Sequence, residues 1–388
     1  MPSYHRLGEV PRKRHTVFRQ PDGSLYHEHL MGSRGFSGPA TLLYHRRPPT
    51  AVVKTRLLQK VEWKADPDVT LRMRHFHTHE LPQSKSLTLN RTPLLFNSDV
   101  GMLFVQPTAT DDCYYRNAEG DELVFVAEGA GVVETQMGDL PYRAGDYVVI
   151  PRGIIHRWRL DKAPHRLLVI ESAGPIRPPA RYCNEVGQFL EHSPYCERDI
   201  RRPESLAPHT EAGEFRVVVK QYNALTEVTL EHHPCDVIGW DGYYYPWAFS
   251  IHDFEPIVGS LHQPPPVHQT FQGDGFVVCS FVPRLFDFHP QAVPAPYNHS
   301  NVNSDEVIYY ANSEFMSRKG IAYGSLTQHP GGLPHGPHPG RAEESIGKKR
   351  TDELAVMLDT FRPLTVGKGA LAVEDPDYAR SWLAKGPS

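Results

Sequence analysis

The stretch Ala295-Pro296-Tyr297-Asn298-His299-Ser300-Asn301-Val302-Asn303-Ser304-Asp305-Glu306 sets an imidazole seven positions ahead of a carboxylate, and Gly332-Leu333-Pro334-His335-Gly336-Pro337 adds a second imidazole downstream. Two histidines and one carboxylate on one side of a first-row metal ion leave its opposite positions open. That arrangement suits non-heme Fe(II), which must hold an organic substrate and O2 side by side. With 22 histidines in the chain, one His near one Glu carries little weight by itself, since most such pairs are surface or core polar residues. An altered copy upstream supplies the weight. Tyr115, Asn117, Asp121 and Glu122 stand at the mutual offsets of His299, Asn301, Asp305 and Glu306, and the copies run on into Leu123-Val124-Phe125-Val126 and Val307-Ile308-Tyr309-Tyr310. The pattern reads as an internal duplication.

The spacing also says what must position these groups. If His299 ends one strand and Glu306 opens the next, the turn between them brings imidazole and carboxylate to one side of a barrel, and His335 enters from a third strand. The upstream copy continues into Gly145-Asp146-Tyr147-Val148-Val149-Ile150-Pro151-Arg152-Gly153-Ile154-Ile155-His156, and the offsets from glycine to histidine recur in Gly324 and Pro330-Gly331-Gly332-Leu333-Pro334-His335. A glycine, an apolar strand, a Pro-x-Gly turn and a histidine resemble the second motif of the cupin family, and Tyr115 to Glu122 resembles the first. The fold class expected is all-β, two cupin-type jelly-roll barrels (a bicupin) with an N-terminal arm. Tyr115 replaces the leading histidine, so the first barrel would keep only Glu122 and His156 and is read as structural and metal-free; the second is the working one.

Composition agrees. The 388 residues suffice for two domains, and 36 Pro, 30 Gly, 18 Tyr and 17 Phe fit many short strands and turns. A net charge of −4 offers no basic field for nucleic acid or an anionic membrane. Cys113, Cys183, Cys196, Cys235 and Cys279 are odd in number and form no CxxC pair, so they read as reduced thiols. The N-terminus has no apolar core of signal-peptide length, and no long apolar run occurs, which points to a cytoplasmic protein.

Strands are expected at Ala51-Val52-Val53, Met102 to Val105, Leu123 to Ala127, Gly131-Val132-Val133, Tyr147 to Ile150 and Leu167 to Ile170. The first fifty residues are polar and turn-rich and are not expected to make a core of their own; they should lie over the barrels or a neighbouring subunit. The proline-rich 175–182 reads as a stiff connector, and 351–358 as a closing strand or short helix. The organisation expected is arm plus first barrel over 1–245 and metal-binding barrel over 246–388.

A sharper resemblance lies around the second copy. Pro234-Cys235-Asp236-Val237-Ile238-Gly239-Trp240-Asp241-Gly242-Tyr243-Tyr244-Tyr245-Pro246, then Pro296-Tyr297-Asn298-His299 with Glu306, then Gly324-Ser325-Leu326 through His329 to Pro334-His335-Gly336-Pro337, resemble in order the signatures of homogentisate 1,2-dioxygenases. The resemblance implies Fe(II) held by His299, Glu306 and His335. In the family the first histidine and the glutamate stand one residue closer, which makes Asp305 the competing ligand; Glu306 is preferred because Glu122 ends the upstream copy at the same offset. His262 resembles the family histidine facing the substrate hydroxyl and is the candidate catalytic base, with His252 and His268 as nearby competitors. His329 resembles a substrate contact, and Tyr309, Tyr310 and Arg318 are candidates for holding a substrate carboxylate. The implied reaction opens homogentisate with O2 to maleylacetoacetate, in a homo-oligomer whose partners are a small aromatic substrate and O2. Two other readings compete: a bicupin dioxygenase acting on gentisate or another hydroquinone, and a bicupin that binds a small molecule without chemistry.

Overall fold

The apolar runs at Leu123 and Leu167 lie in the strands Asp121–Glu128 and Arg166–Ser172, which pair antiparallel and are buried on both faces along their apolar lengths. A computed structural model describes residues 3–162 and 164–383 of the chain; residues 1–2 and 384–388, at the ends of the expected arm and second barrel, lie outside the described residues. All six expected strand segments fall within or at the start of strands. The two central strands sit in an eight-stranded sheet ordered Ile200–Arg201, Trp247–Ser250, Asp146–Ile150, Asp121–Glu128, Arg166–Ser172, Val100–Val105, Thr92–Phe96, Thr365–Val366. A seven-stranded sheet faces it to close the first barrel. Its members include Tyr114–Asn117 and His156–Leu160, and Ala212–Gln221 runs parallel to the former.

The outer face of the eight-stranded sheet carries the second half. A six-stranded sheet, ordered Gln269–Gly273, Phe276–Phe281, Ala355–Thr360, Asp305–Tyr310, Ser325–His329, Arg74–His77, packs against it. The Tyr309 ring lies 6.1 Å from both Phe104 and Phe125, and the hydroxyls of Tyr147 and Ser280 meet at 2.8 Å. A sheet covered on both faces must be apolar at successive positions, which is why these runs lack alternation. Each such side chain contributes about 1.5–3 kcal/mol of burial. The expected tail strand is Ala355–Thr360, and it lies in the middle of its sheet rather than closing it.

Edge strands cross between the halves. Arg74–His77, from the N-terminal part, pairs with Ser325–His329, while Thr365–Val366, from the C-terminal part, pairs with Thr92–Phe96. Just beyond the division expected at 245/246, Trp247–Ser250 pairs with Asp146–Ile150 in the first half's sheet and is fully buried there.

The arm makes its core with a strand from outside its own fifty residues. His5–Gly8, His27–Phe36 and Ala40–His45 form a sheet around Val237–Gly242, and Leu42, Tyr44 and Ile238 make a small core with Phe18 and Tyr26. The arm borrows its central strand from 237–242, so its own composition could not announce that core. The Gly-Trp-Asp-Gly signature is therefore an anchor for the arm. A Cβ on Gly239 would stand 1.9 Å from the Glu9 carbonyl oxygen, and Asp241 accepts from Tyr4 and Arg14. Among the described residues no helix is long and apolar enough to cross a membrane.

Candidate metal centre

Alternation along the six-stranded sheet decides what faces inward. Glu306 and Ile308, Val277 and Cys279, and Met357 and Asp359 line one side of a cavity of about 650 Å³. Across it, His299 and His335 pair through their backbones, His299 N–H donating to His335 C=O at 2.7 Å and His335 N–H to His299 C=O at 2.9 Å. The pairing sets the two rings 4.3 Å apart. Both Nε2 atoms face the same carboxylate oxygen: Glu306 Oε2 lies 3.8 Å from His299 and 3.6 Å from His335.

The donor atoms fit a small divalent ion. The three ligand atoms lie within 4.8 Å of one another, and His335 Nε2 is buried with no hydrogen-bond partner. His335 Nδ1 lies 3.3 Å from the Leu333 carbonyl, the contact that fixes a ligating imidazole's tautomer. The other oxygen, Glu306 Oε1, is taken: His329 Nδ1 lies 2.8 Å away and Arg318 donates at 3.4 Å. Arg318 also donates to the Gly336 carbonyl at 2.6 Å, next to His335. Burial favours the neutral acid, yet the three imidazoles gathered around it, His299, His329 and His335, outweigh burial and hold the Glu306 carboxyl well below the usual range. Burial first, and then the Arg318 charge, lowers His329 to about 4. A neutral His329 then donates from Nδ1 to Glu306 and accepts at Nε2 from the Tyr378 hydroxyl, 3.1 Å away.

Asp305, the competing carboxylate, points to the opposite side of its strand, where Oδ1 accepts from Gly331 N–H at 2.9 Å and Oδ2 from Leu364 N–H at 2.8 Å. It pins the turn that carries His335.

Three expected substrate contacts are placed elsewhere. Tyr309 faces the first half's sheet, because it is odd in register where Glu306 is even. Tyr310 shares the inward parity, but its hydroxyl meets Thr327 Oγ1 at 3.1 Å and the residue is fully buried. His329 is fully buried behind Glu306. Arg318 does line the cavity, with its guanidinium engaged as described. His262 stands at the cavity rim, Nδ1 3.1 Å from Asp287 Oδ2 and Nε2 2.9 Å from the Tyr297 hydroxyl. His268 lines the cavity too, while His252 does not appear in its wall.

Sequence reasoning missed Asp287 and Asp359. Asp287 lies far along the chain from His262, but Asp359 pairs across the sheet with Glu306 and could be found once Ala355–Thr360 is recognised as a strand. Burial first, and then the Glu306 charge, pushes Asp359 up to about 7.

The first half repeats the frame without the donor set. His156 pairs with Tyr115 as His335 does with His299, and Asp121 accepts from Arg152 N–H and Ile176 N–H as Asp305 does from its two amides. There, however, Arg91 donates to both oxygens of Glu122, at 2.7 and 2.9 Å.

Comparison with known proteins agrees with this frame. Residues 97–251 match the family model described as homogentisate 1,2-dioxygenase N-terminal, a match that ends just past Trp247–Ser250. A Saccharolobus solfataricus protein provisionally named a dioxygenase is 42% identical over 387 residues, covering 98% of each chain. Homogentisate 1,2-dioxygenases of Rhodopseudomonas palustris and Bradyrhizobium diazoefficiens are 26% and 25% identical, each match covering 97% of this chain and 90% of the relative. A duplicated jelly roll with one intact two-histidine, one-carboxylate face, matched along nearly its whole length, belongs to the homogentisate 1,2-dioxygenase family.

Proposed function

We propose that the chain is an Fe(II)-dependent dioxygenase that opens the ring of homogentisate, with His299, Glu306 and His335 as the iron ligands. The observation that carries the reading is the convergence of both imidazole Nε2 atoms on Glu306 Oε2 at the wall of a cavity large enough for a substituted hydroquinone. Bound Fe(II) would bring O2 and the phenolic substrate to adjacent open positions and supply the redox chemistry.

The chain's own residues do the rest. Asp287 accepts from His262 Nδ1–H, which leaves Nε2 to take the proton of a ring hydroxyl in exchange for its contact with Tyr297. His329 and Arg318 hold Glu306 so that only Oε2 is presented. Arg181 lines the cavity and donates to the neutral oxygens of Gln269 and Pro266, so its charge suits the substrate carboxylate. Apolar walls at Ile308, Phe281 and Met357 exclude water from the ring.

Oxygen uptake by the Fe(II)-loaded chain tests the substrate. Uptake with homogentisate, and none with gentisate, is expected. The reverse would move the chain to another hydroquinone, and no uptake with either would leave a binding protein. His262→Ala should retain bound iron and lose about 10²–10⁴-fold in turnover; unchanged turnover would remove His262 from the reaction.

A further inference from the structure

We infer that the chain carries a second divalent-metal site, formed by His75, His77 and Asp375, outside the dioxygenase centre. The segment Arg74-His75-Phe76-His77 is a strand, so the two histidines project to the same face. Their rings are 4.4 Å apart. Asp375 is brought to that face by the backbone: its N–H donates to the His75 carbonyl at 2.8 Å, and Phe76 pairs with Glu374. One ligand atom from each of the three residues lies within 4.8 Å of the others.

The distances favour an ion over a direct bond. His75 Nδ1 and Asp375 Oδ2 stand 3.4 Å apart, whereas a charge-assisted N–H···O bond closes to about 2.7–2.9 Å. Two ligand atoms on a tetrahedral ion, each about 2.0–2.1 Å from the metal, stand roughly 3.3 Å apart. The far side of His75 is prepared as well. Its Nε2 lies 2.8 Å from Ser325 Oγ, which also accepts the Ala322 N–H. Proton on Nε2 and lone pair on Nδ1 is the tautomer a ligand needs. Asp375 Oδ1 accepts from Asp377 N–H, which leaves Oδ2 as the free oxygen. His75 is fully buried, while the Asp375 side chain is 33% exposed, so the ion can enter and a water can complete its shell. Two imidazoles and a carboxylate suit Zn(II), Co(II) or Ni(II).

A rival cluster, Glu134, His209 and His233, lacks these features. Glu134 already accepts from Tyr114 and Arg157. The Cys235 N–H donates to His233 Nδ1, which puts the ring proton on Nε2, where it contacts Tyr114. At His75 the ion would tie the strand Arg74–His77 to the C-terminal segment that carries Tyr378, the partner of His329.

The test counts Co(II) in full-length protein by elemental analysis and visible absorption. His299→Ala with His335→Ala should still bind one Co(II) per chain with the absorption of a four-coordinate ion, and adding His77→Ala with Asp375→Asn should abolish it. No cobalt in the first variant, or cobalt retained in the second, would overturn the site. Should the combined variants fail to fold, wild type against His77→Ala alone decides: a loss of one Co(II) per chain supports the site, and an equal count refutes it.

Discussion

The two halves of the molecule hold the same frame around a buried carboxylate with different partners. In the second, Glu306 presents Oε2 to the Nε2 atoms of two imidazoles and keeps Oε1 for His329 and Arg318. In the first, Glu122 gives both oxygens to Arg91, with Asn117 as a third donor at 3.0 Å. A guanidinium from the polypeptide neutralises the buried carboxylate where, on our proposal, an exchangeable metal does so in the other half. The difference shows how a repeated barrel frame can change the partners of its buried carboxylate without losing its core. One histidine becomes tyrosine, one arginine enters, and the buried charge remains paired.

The comparison can be broken most sharply at the paired histidines. His335→Ala should abolish iron binding and lower turnover by roughly 10³-fold, equivalent to several kcal/mol of metal assistance. His156→Ala, its counterpart, should leave turnover and iron content unchanged while costing roughly 0.5–3 kcal/mol of stability. Iron content with oxygen uptake checks both, and lost activity in His156→Ala would end the division of labour. Arg91→Ala comes next. It strands a buried carboxylate and should destabilise the fold by about 3–5 kcal/mol, read from denaturant midpoints, with catalysis intact in the folded fraction.

Smaller effects sharpen the picture. His329→Ala removes the donor that aims Glu306 and should weaken iron binding by about 10–100-fold, measured by competition with a chelator; Tyr378→Phe should do less. The least effect is a slope. Burial opposes ionisation of Glu122, but Arg91 overrides it and lowers the carboxyl from 4.5 to about 2. A depressed folded pKa gives stability that is complete above 4.5 and lost as pH falls toward 2. Glu122→Gln should therefore be less stable at neutral pH, yet show a flatter decline across that acid window in unfolding titrations.

Much of this was legible in the sequence because it is local. Strand runs, the duplicated offsets and the Tyr115 substitution all lie within short windows. Parity along Asp305–Tyr310 carries more: once Glu306 faces the cavity, Tyr309 must face away, and Asp305 with it. Arg91 was illegible, since nothing ties a loop arginine to a carboxylate on a strand 31 residues later. The same holds for Asp287 beside His262, for the exchanged edge strands, and for the arm's core, which depends on a strand borrowed from 237–242.

Crystals grown with Fe(II) and measured across the iron absorption edge test the central claim directly. The account predicts an anomalous peak within bonding distance of His299 Nε2, Glu306 Oε2 and His335 Nε2, and no peak among Tyr115, Glu122 and His156. A peak beside Glu122, or none at Glu306, would contradict it.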